Sequence, residues 1–495
     1  MCSVMRASYK KMSEKKEKSL AKNVVLNLIK TFSSIIFPLI TFPYISRVLL
    51  PEYVGKYNFA NTYVSYFLLI ASLGVTTYAI RECSVVKDDK EKLETVASQI
   101  FSINICSMIV AYALLFISLF FFRGLDTYRI AIIILSLSIF FTIIGADWLN
   151  SAFEDFKYIT IRTVVFQFIS LIALFIFVKK PTDYIKYAVI TVISVGGANI
   201  LNVFYRRRYG RVKFLNTLKD MEWKKHFPPI ILLFAMILVQ TIFSSSDITM
   251  LGIMRSDYEV GLYSTATKIY NMMNQIMASI LWVMLPRLTG YFEEKNYREI
   301  NILLKKCTQF MMGLGLPCIV GGIFLSDEIV TIIGGIEYIR ASLYLKILMG
   351  SLFFSLIGGS LLGNMILLPA KKEKFFLQAC VVAAVVNIVL NIFFIPKFGA
   401  IAASITTLIA HIILFVMLVP RVDKEINIGT FRENMLAPIC GSALVAVIIV
   451  ILKSIFQSNW MILIVSLIIS VVVYLIVLVV MRYQVVIDVV KEKMM

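Results

Sequence analysis

The chain has 495 residues, of which 59% are hydrophobic and only 16% charged, and it carries a formal net charge of +19. Soluble globular domains are about 45–50% apolar and about 25% charged, so a soluble fold is excluded. The positive excess is then a matter of which side of a membrane it faces, not a sign of nucleic-acid binding. Residues 1–22 form a basic tail (Lys10, Lys11, Lys15, Lys16, Lys18). The apolar run behind that tail is too long for a signal-peptide core and lacks a small-residue cleavage site, so it reads as a first span that is kept.

A helix needs about 20 apolar residues to cross a hydrocarbon layer about 30 Å thick. Such runs occur in chain order at 23–46, 58–80, 96–121, 130–150, 160–178, 184–205, 228–250, 262–286, 303–325, 342–368, 375–395, 400–420, 435–452 and 460–481. The expected fold is all-α, a polytopic membrane protein of about fourteen transmembrane helices. An even number puts both termini on one side. With the N-terminus inside, 35 of the 49 Lys and Arg residues fall on the inner side and 12 on the outer side. By the positive-inside rule both termini are cytoplasmic, and the charge faces anionic inner-leaflet lipid. The longest connection is the basic stretch 206–225, so any function must reside among the helices.

The chain repeats itself. Val54-Gly55-Lys56-Tyr57-Asn58-Phe59-Ala60 and Val260-Gly261-Leu262-Tyr263-Ser264-Thr265-Ala266 are both V-G-x-Y-x-x-A, at an offset of 206. Each copy follows an odd-numbered span, six spans apart, so the halves share one orientation as a parallel repeat. The expected organisation is a basic tail (1–22), an N-lobe (23–205), a basic linker (206–227), a C-lobe (228–420), and two extra helices with a cytoplasmic C-terminus (421–495). Two six-helix lobes around a central cleft indicate a transporter.

Ser264, Lys268, Asn271, Gln275 and Ser279 share one helical face. Asn58, Thr62 and Ser65 form the matching stripe at the repeat offset, and Gln240, Ser244 and Asp247 form another in the seventh span. Such stripes line a cleft or hydrogen-bond neighbouring helices. A lysine inside a span costs about 2.5–3.5 kcal/mol on insertion scales. Lys30 and Lys268, one per lobe, either snorkel to an interface or make the cleft cationic for an anionic group such as a diphosphate. Arg47 and Arg81 lie at helix ends, as anchors or phosphate contacts. Asp147 is placed to pair with Arg162; Asp247 pairs with Lys268 or carries a coupling proton. Asn387 and Asn391, one turn apart, read as an interhelical hydrogen-bonding pair.

No catalytic or cofactor motif is present: neither G-x-x-x-x-G-K-[ST], G-x-S-x-G nor H-E-x-x-H occurs. The only histidines are His226 and His411, which excludes a histidine-rich metal site. The seven cysteines, Cys2, Cys83, Cys106, Cys307, Cys318, Cys380 and Cys440, read as packing residues.

The stretch Phe37 to Leu49, followed by Pro51-Glu52-Tyr53-Val54-Gly55, resembles the opening signature of Wzx-type polysaccharide repeat-unit flippases. These belong to the multidrug/oligosaccharidyl-lipid/polysaccharide exporter superfamily. The likeness continues through Leu73-Gly74, Tyr78, Arg81 and Glu82, then Asp247, Leu251-Gly252, Val260 to Tyr263, and Asn387 to Gly399. It implies an undecaprenyl-diphosphate-linked oligosaccharide as substrate, with antiport or membrane-potential coupling; with no cofactor motif in the chain, no cofactor is expected. Expected partners are membrane lipid, a polysaccharide polymerase and glycosyltransferases, around a functional monomer that binds no nucleic acid. Leu50-Pro51 departs from the family's frequent Gly-Pro and is expected to matter little. The alternative is a multidrug or cation antiporter of the same superfamily. A membrane enzyme such as a polymerase is disfavoured by the short outer loops.

Overall fold

The computed structural model describes residues 2–214, 222–427 and 435–483, with backbone alone over residues 2–32, 34, 35, 223, 224 and 280. Every regular element among the described residues is helical. The chain divides into two compact units: Met1–Leu49 with Phe59–Leu238, and Leu50–Asn58 with Val239–Met495.

Unit 1 holds most of α1 (Cys2–Ser72), then α2 (Val75–Val85), α3 (Lys90–Phe121), α4 (Arg129–Gly145), α5 (Trp148–Ala152), α6 (Phe156–Phe177) and α7 (Tyr184–Tyr205). It also takes the first part of α8 (Trp223–Met254). Its core joins Val75, Tyr78, Leu93, Ile100, Phe101, Trp148, Leu149 and Ile230, all buried. Unit 2 continues with α9 (Asp257–Glu293), α10 (Tyr297–Phe324), the short α11 (Ser326–Gly334), α12 (Ala341–Phe354), α13 (Glu373–Phe398) and α14 (Ala400–Leu418). The last pair is α15 (Leu436–Ile455) and α16 (Asn459–Val480). These two helices are held on α10 by Tyr474, whose hydroxyl donates to Gly313 O at 2.6 Å. Lys453 adds an ion pair to Glu328 on α11 at 2.8 Å.

Twelve segments among the described residues are long and apolar enough to cross a membrane. One of them, Ile36–Val85, is 50 residues long, about 75 Å at 1.5 Å per residue, which is enough for two passes. A further helix, α9, has 37 residues. Lys268, Asn271, Asn274 and Gln275 interrupt its apolar run. With these two counted, each of the fourteen expected spans falls on a helix.

The helix breaks differ from expectation. Residues 47–56, expected as a connection, are helical except at Leu50 (φ 60, ψ 166). Pro51 disfavours the α region for the residue before it, so the chain turns at one residue. That backbone region is essentially reserved for glycine, and this gives the departure from Gly-Pro a cost that the sequence reading did not foresee. The 58–80 span is interrupted at Leu73 (φ 46) and Gly74 (φ 68). A Cβ on Gly74 would lie 2.9 Å from Phe234 N, so the missing side chain lets α8 close on the turn. The 130–150 span is broken at Ala146 (φ 48), which sets Asp147 at the head of α5. Beyond α12, residues Ser355–Leu367 wind as a π-helix, a form often found at functional sites.

Candidate functional site

Unit 2 contains a carboxylate enclosed by neutral hydrogen-bonding groups. Asp247, on α8, is 5% exposed. Tyr263 of α9 donates its hydroxyl to Asp247 Oδ2 at 2.5 Å, and Thr407 of α14 does the same at 2.6 Å. Asn391 Nδ2 of α13 donates to Asp247 Oδ1 at 2.6 Å and to Asn387 Oδ1 at 3.2 Å. Thr406 donates to Asn391 Oδ1 at 2.6 Å, and Ser246 to Asn387 Oδ1 at 3.3 Å. His411, one turn past Thr407, bonds through Nδ1 to Thr407 O at 2.9 Å. An acid at this depth is costly unless its lone pairs are occupied, and three helices, α9, α13 and α14, supply the donors. The cluster is rich in oxygen: a carboxylate, two amide carbonyls and several hydroxyls. Among these groups the carboxylate is the one that can take up a proton. No group of three or more His, Cys, Asp or Glu side chains suited to a metal occurs among the described residues.

The sequence singled out Asp247, Asn387 and Asn391 separately, and the structure brings them together. It missed Tyr263, Thr406, Thr407 and His411. Tyr263 had a signal, as the tyrosine of the second V-G-x-Y copy. Thr407 and His411 had only their four-residue spacing on an apolar helix.

Unit 1 has its own membrane acid. Arg162 Nη2 of α6 donates to Asp147 Oδ1 at 2.6 Å; the arginine side chain is 3% exposed and the aspartate 42%. Asn150 Nδ2 donates to the same oxygen at 3.2 Å, as does Asn202 Nδ2 of α7 at 3.3 Å. Asn202 also donates to Gly145 O at 2.8 Å. Asp147 thus ties the break after α4 to α6 and α7.

The α9 stripe changes character along its length. Ser264 is buried and accepts from Asn58 Nδ2 at 2.7 Å, a bond between equivalent positions of the repeat. Lys268 is half-buried, and Asn271, Gln275 and Ser279 are exposed. Gln240 and Ser244 of α8 are also exposed, unlike Asp247. The repeat glycines explain the close approach at Asn58. A Cβ on Gly55 would lie 1.8 Å from Asp257 O, and one on Gly261 would lie 1.9 Å from Pro51 O. Only glycine at both positions lets the two backbones touch.

The remaining candidates stand apart from these clusters. Arg47 is exposed on α1. Arg81 is exposed on α2, paired with Glu82 at 3.2 Å and lying over the Tyr78 ring at 5.4 Å. Lys30 sits on α1, and its side chain lies outside the described residues.

Helices of membrane-spanning length, with one acid buried between them, a second held by an arginine and a polar stripe on one helix, define a polytopic membrane transporter architecture. The comparisons give that class a family. The polysaccharide biosynthesis protein model matches residues 20–292, and the MatE model matches residues 231–393. The chain therefore belongs to the polysaccharide biosynthesis protein family, within the multidrug/oligosaccharidyl-lipid/polysaccharide exporter superfamily. A Shigella dysenteriae protein provisionally named an O-antigen transporter is 23% identical over 412 residues, covering 81% of this chain and 100% of its own length. The Staphylococcus aureus capsular polysaccharide biosynthesis protein CapF is 22% identical, over 75% of this chain and 91% of its own. Among solved structures, the lipid II flippase MurJ in an inward closed conformation aligns with a TM-score of 0.75 at 20% identity. That alignment covers 94% of this chain and 100% of MurJ, and it shows a shared fold.

Proposed function

We propose that the chain is a flippase, not an enzyme. It moves undecaprenyl-diphosphate-linked oligosaccharide repeat units from the inner to the outer leaflet of the cytoplasmic membrane by alternating access, with both termini cytoplasmic. The observation that carries this reading is the α9 face, where Lys268 precedes the exposed amides of Asn271 and Gln275 inside a 37-residue helix. An ammonium suits a diphosphate as a mobile point charge, and amides suit sugar hydroxyls by donating and accepting at once. Turned to hydrocarbon, the same groups would be left unsatisfied at a cost. The names of the relatives, O-antigen transporter and capsular polysaccharide biosynthesis protein, support the substrate class.

Lys30, Arg47 and Arg81 are assigned to the anionic substrate's path, and Asp247 to the coupling ion. Asp147 with Arg162 is assigned a bracing role. Membrane lipid, a polysaccharide polymerase and glycosyltransferases are the partners this reading implies for a functional monomer. The test is a strain lacking the gene, which should accumulate lipid-linked repeat units on the inner leaflet and lose surface polymer. Normal polymer in the absence of a second transporter contradicts the proposal. The MatE match over residues 231–393 favours one second reading, a multidrug or cation antiporter. Changed drug susceptibility with polymer intact would select it.

A further inference from the structure

We propose that the segment following α7 is a docking surface for the headgroups of anionic phospholipids. Residues 206–213 carry five cations: Arg206, Arg207, Arg208, Arg211 and Lys213. The arginine triplet winds as one turn of 3-10 helix directly after the membrane-spanning α7, which sets it at headgroup level. Each guanidinium of the triplet lies on an aromatic ring. Arg206 is 4.8 Å from the Phe101 ring centroid, Arg207 5.6 Å from Phe204, and Arg208 4.8 Å from Tyr205. Of the three, the exposed Arg207 and Arg208 still present N–H groups of the edge that pairs with phosphate, although Arg208 Nη1 donates to the Tyr205 hydroxyl.

The acids nearby are already engaged. Asp155 accepts the hydroxyls of Tyr205 and Tyr209, both at 2.7 Å, and lies 3.8 Å from Arg208. Glu94 accepts from Arg211 N at 2.8 Å. Arg206 is 8% exposed, and its Nη1 is buried without a hydrogen-bond partner among the described residues. Arg207 and Arg208 are exposed. The backbone is fixed, with Lys213 N donating to Ser98 Oγ at 3.0 Å and Tyr209 stacked on Phe153 at 4.3 Å. A prearranged cation set loses little freedom on binding.

Continuity with the apolar surface selects lipid over a soluble anion. Phe204 is 62% exposed, Leu201 49% and Ile200 44%, so the helix face leading up to the arginines is one that acyl chains would cover. The orientation proposed above sets this surface in the inner leaflet, where anionic lipids concentrate.

The experiment uses full-length protein purified in mixed micelles of phosphatidylglycerol and phosphatidylcholine, with retained lipids counted by native mass spectrometry. Wild type should retain phosphatidylglycerol in preference to phosphatidylcholine, and the preference should fall at high salt. A surface cation is worth about fivefold in binding, so R207Q/R208Q should lose at least about tenfold of the preference. R207K/R208K, which keeps the charge, should retain most of it. Equal retention by wild type and R207Q/R208Q overturns the proposal, as does an equal loss in K424Q, a control at the exposed Lys424 far along the chain. None of these readouts involves transport, so the outcome is independent of the flippase reading.

Discussion

Leu50 offers the sharpest test of the backbone geometry. Its φ of 60 and ψ of 166 lie where a non-glycine residue costs about 1–3 kcal/mol. In an ordinary helix interior alanine is more stable than glycine by about 1 kcal/mol, but at Leu50 the order should reverse. L50A removes the side chain and keeps the strained Cβ, and L50G removes both. Both lose the same packing, so the comparison isolates the backbone. Relief of about 1–3 kcal/mol offset by about 0.5–1 kcal/mol for the added freedom of glycine leaves L50G more stable than L50A by about 1 kcal/mol. Thermal unfolding of the two full-length variants in detergent reads the difference directly. An L50A protein that melts at or above L50G would refute the strain argument.

Three further outcomes follow from the geometry. G55A and G261A each drive a Cβ into a backbone carbonyl, so each should lower the melting temperature and the folded yield, and wild-type behaviour in either would mean that the two backbones are not in contact. D247N keeps an acceptor for Tyr263 and Thr407 but cannot be charged. It should fold, bind substrate and lose coupled transport, and full transport would remove Asp247 from the coupling role. Burial pushes the Asp155 carboxyl up, but the hydroxyls of Tyr205 and Tyr209, joined by the Tyr158 amide and the Arg208 charge, together hold the group below the ordinary carboxylate range. A depressed folded-state pKa contributes stability above the unfolded value of about 3.9, and that contribution is lost as pH falls through the lower folded value. Y205F/Y209F should therefore narrow the gap in melting temperature between pH 7 and pH 3, and an unchanged gap would contradict the assignment.

The spans were legible because apolar length is the dominant constraint in a bilayer. The repeat was legible because its glycines answer to backbone contact, which allows few substitutes. Breaks within the helices were not: Leu73 and Ala146 take positive φ with no residue type that announces it, and the π-helix of Ser355–Leu367 depends on packing. The site was read in pieces. Asp247 stood out because a membrane acid is rare, yet Tyr263, Thr407 and Asn391 complete it through tertiary contact alone. Lys268 was expected to be a possible partner of Asp247, but the hydrogen bonds to that carboxylate come from neutral groups.

In the proposed mechanism, Lys268 and its neighbouring amides carry a diphosphate-linked sugar through the bilayer. Proteoliposomes holding purified wild type, K268A or K268R, loaded with undecaprenyl-diphosphate oligosaccharide in the outer leaflet, report translocation as loss of lectin access to the sugar. The prediction is time-dependent protection by wild type, partial protection by K268R and none by K268A at equal insertion. Protection by K268A at the wild-type rate, or none by wild type with a membrane potential and an ion gradient imposed, would contradict it.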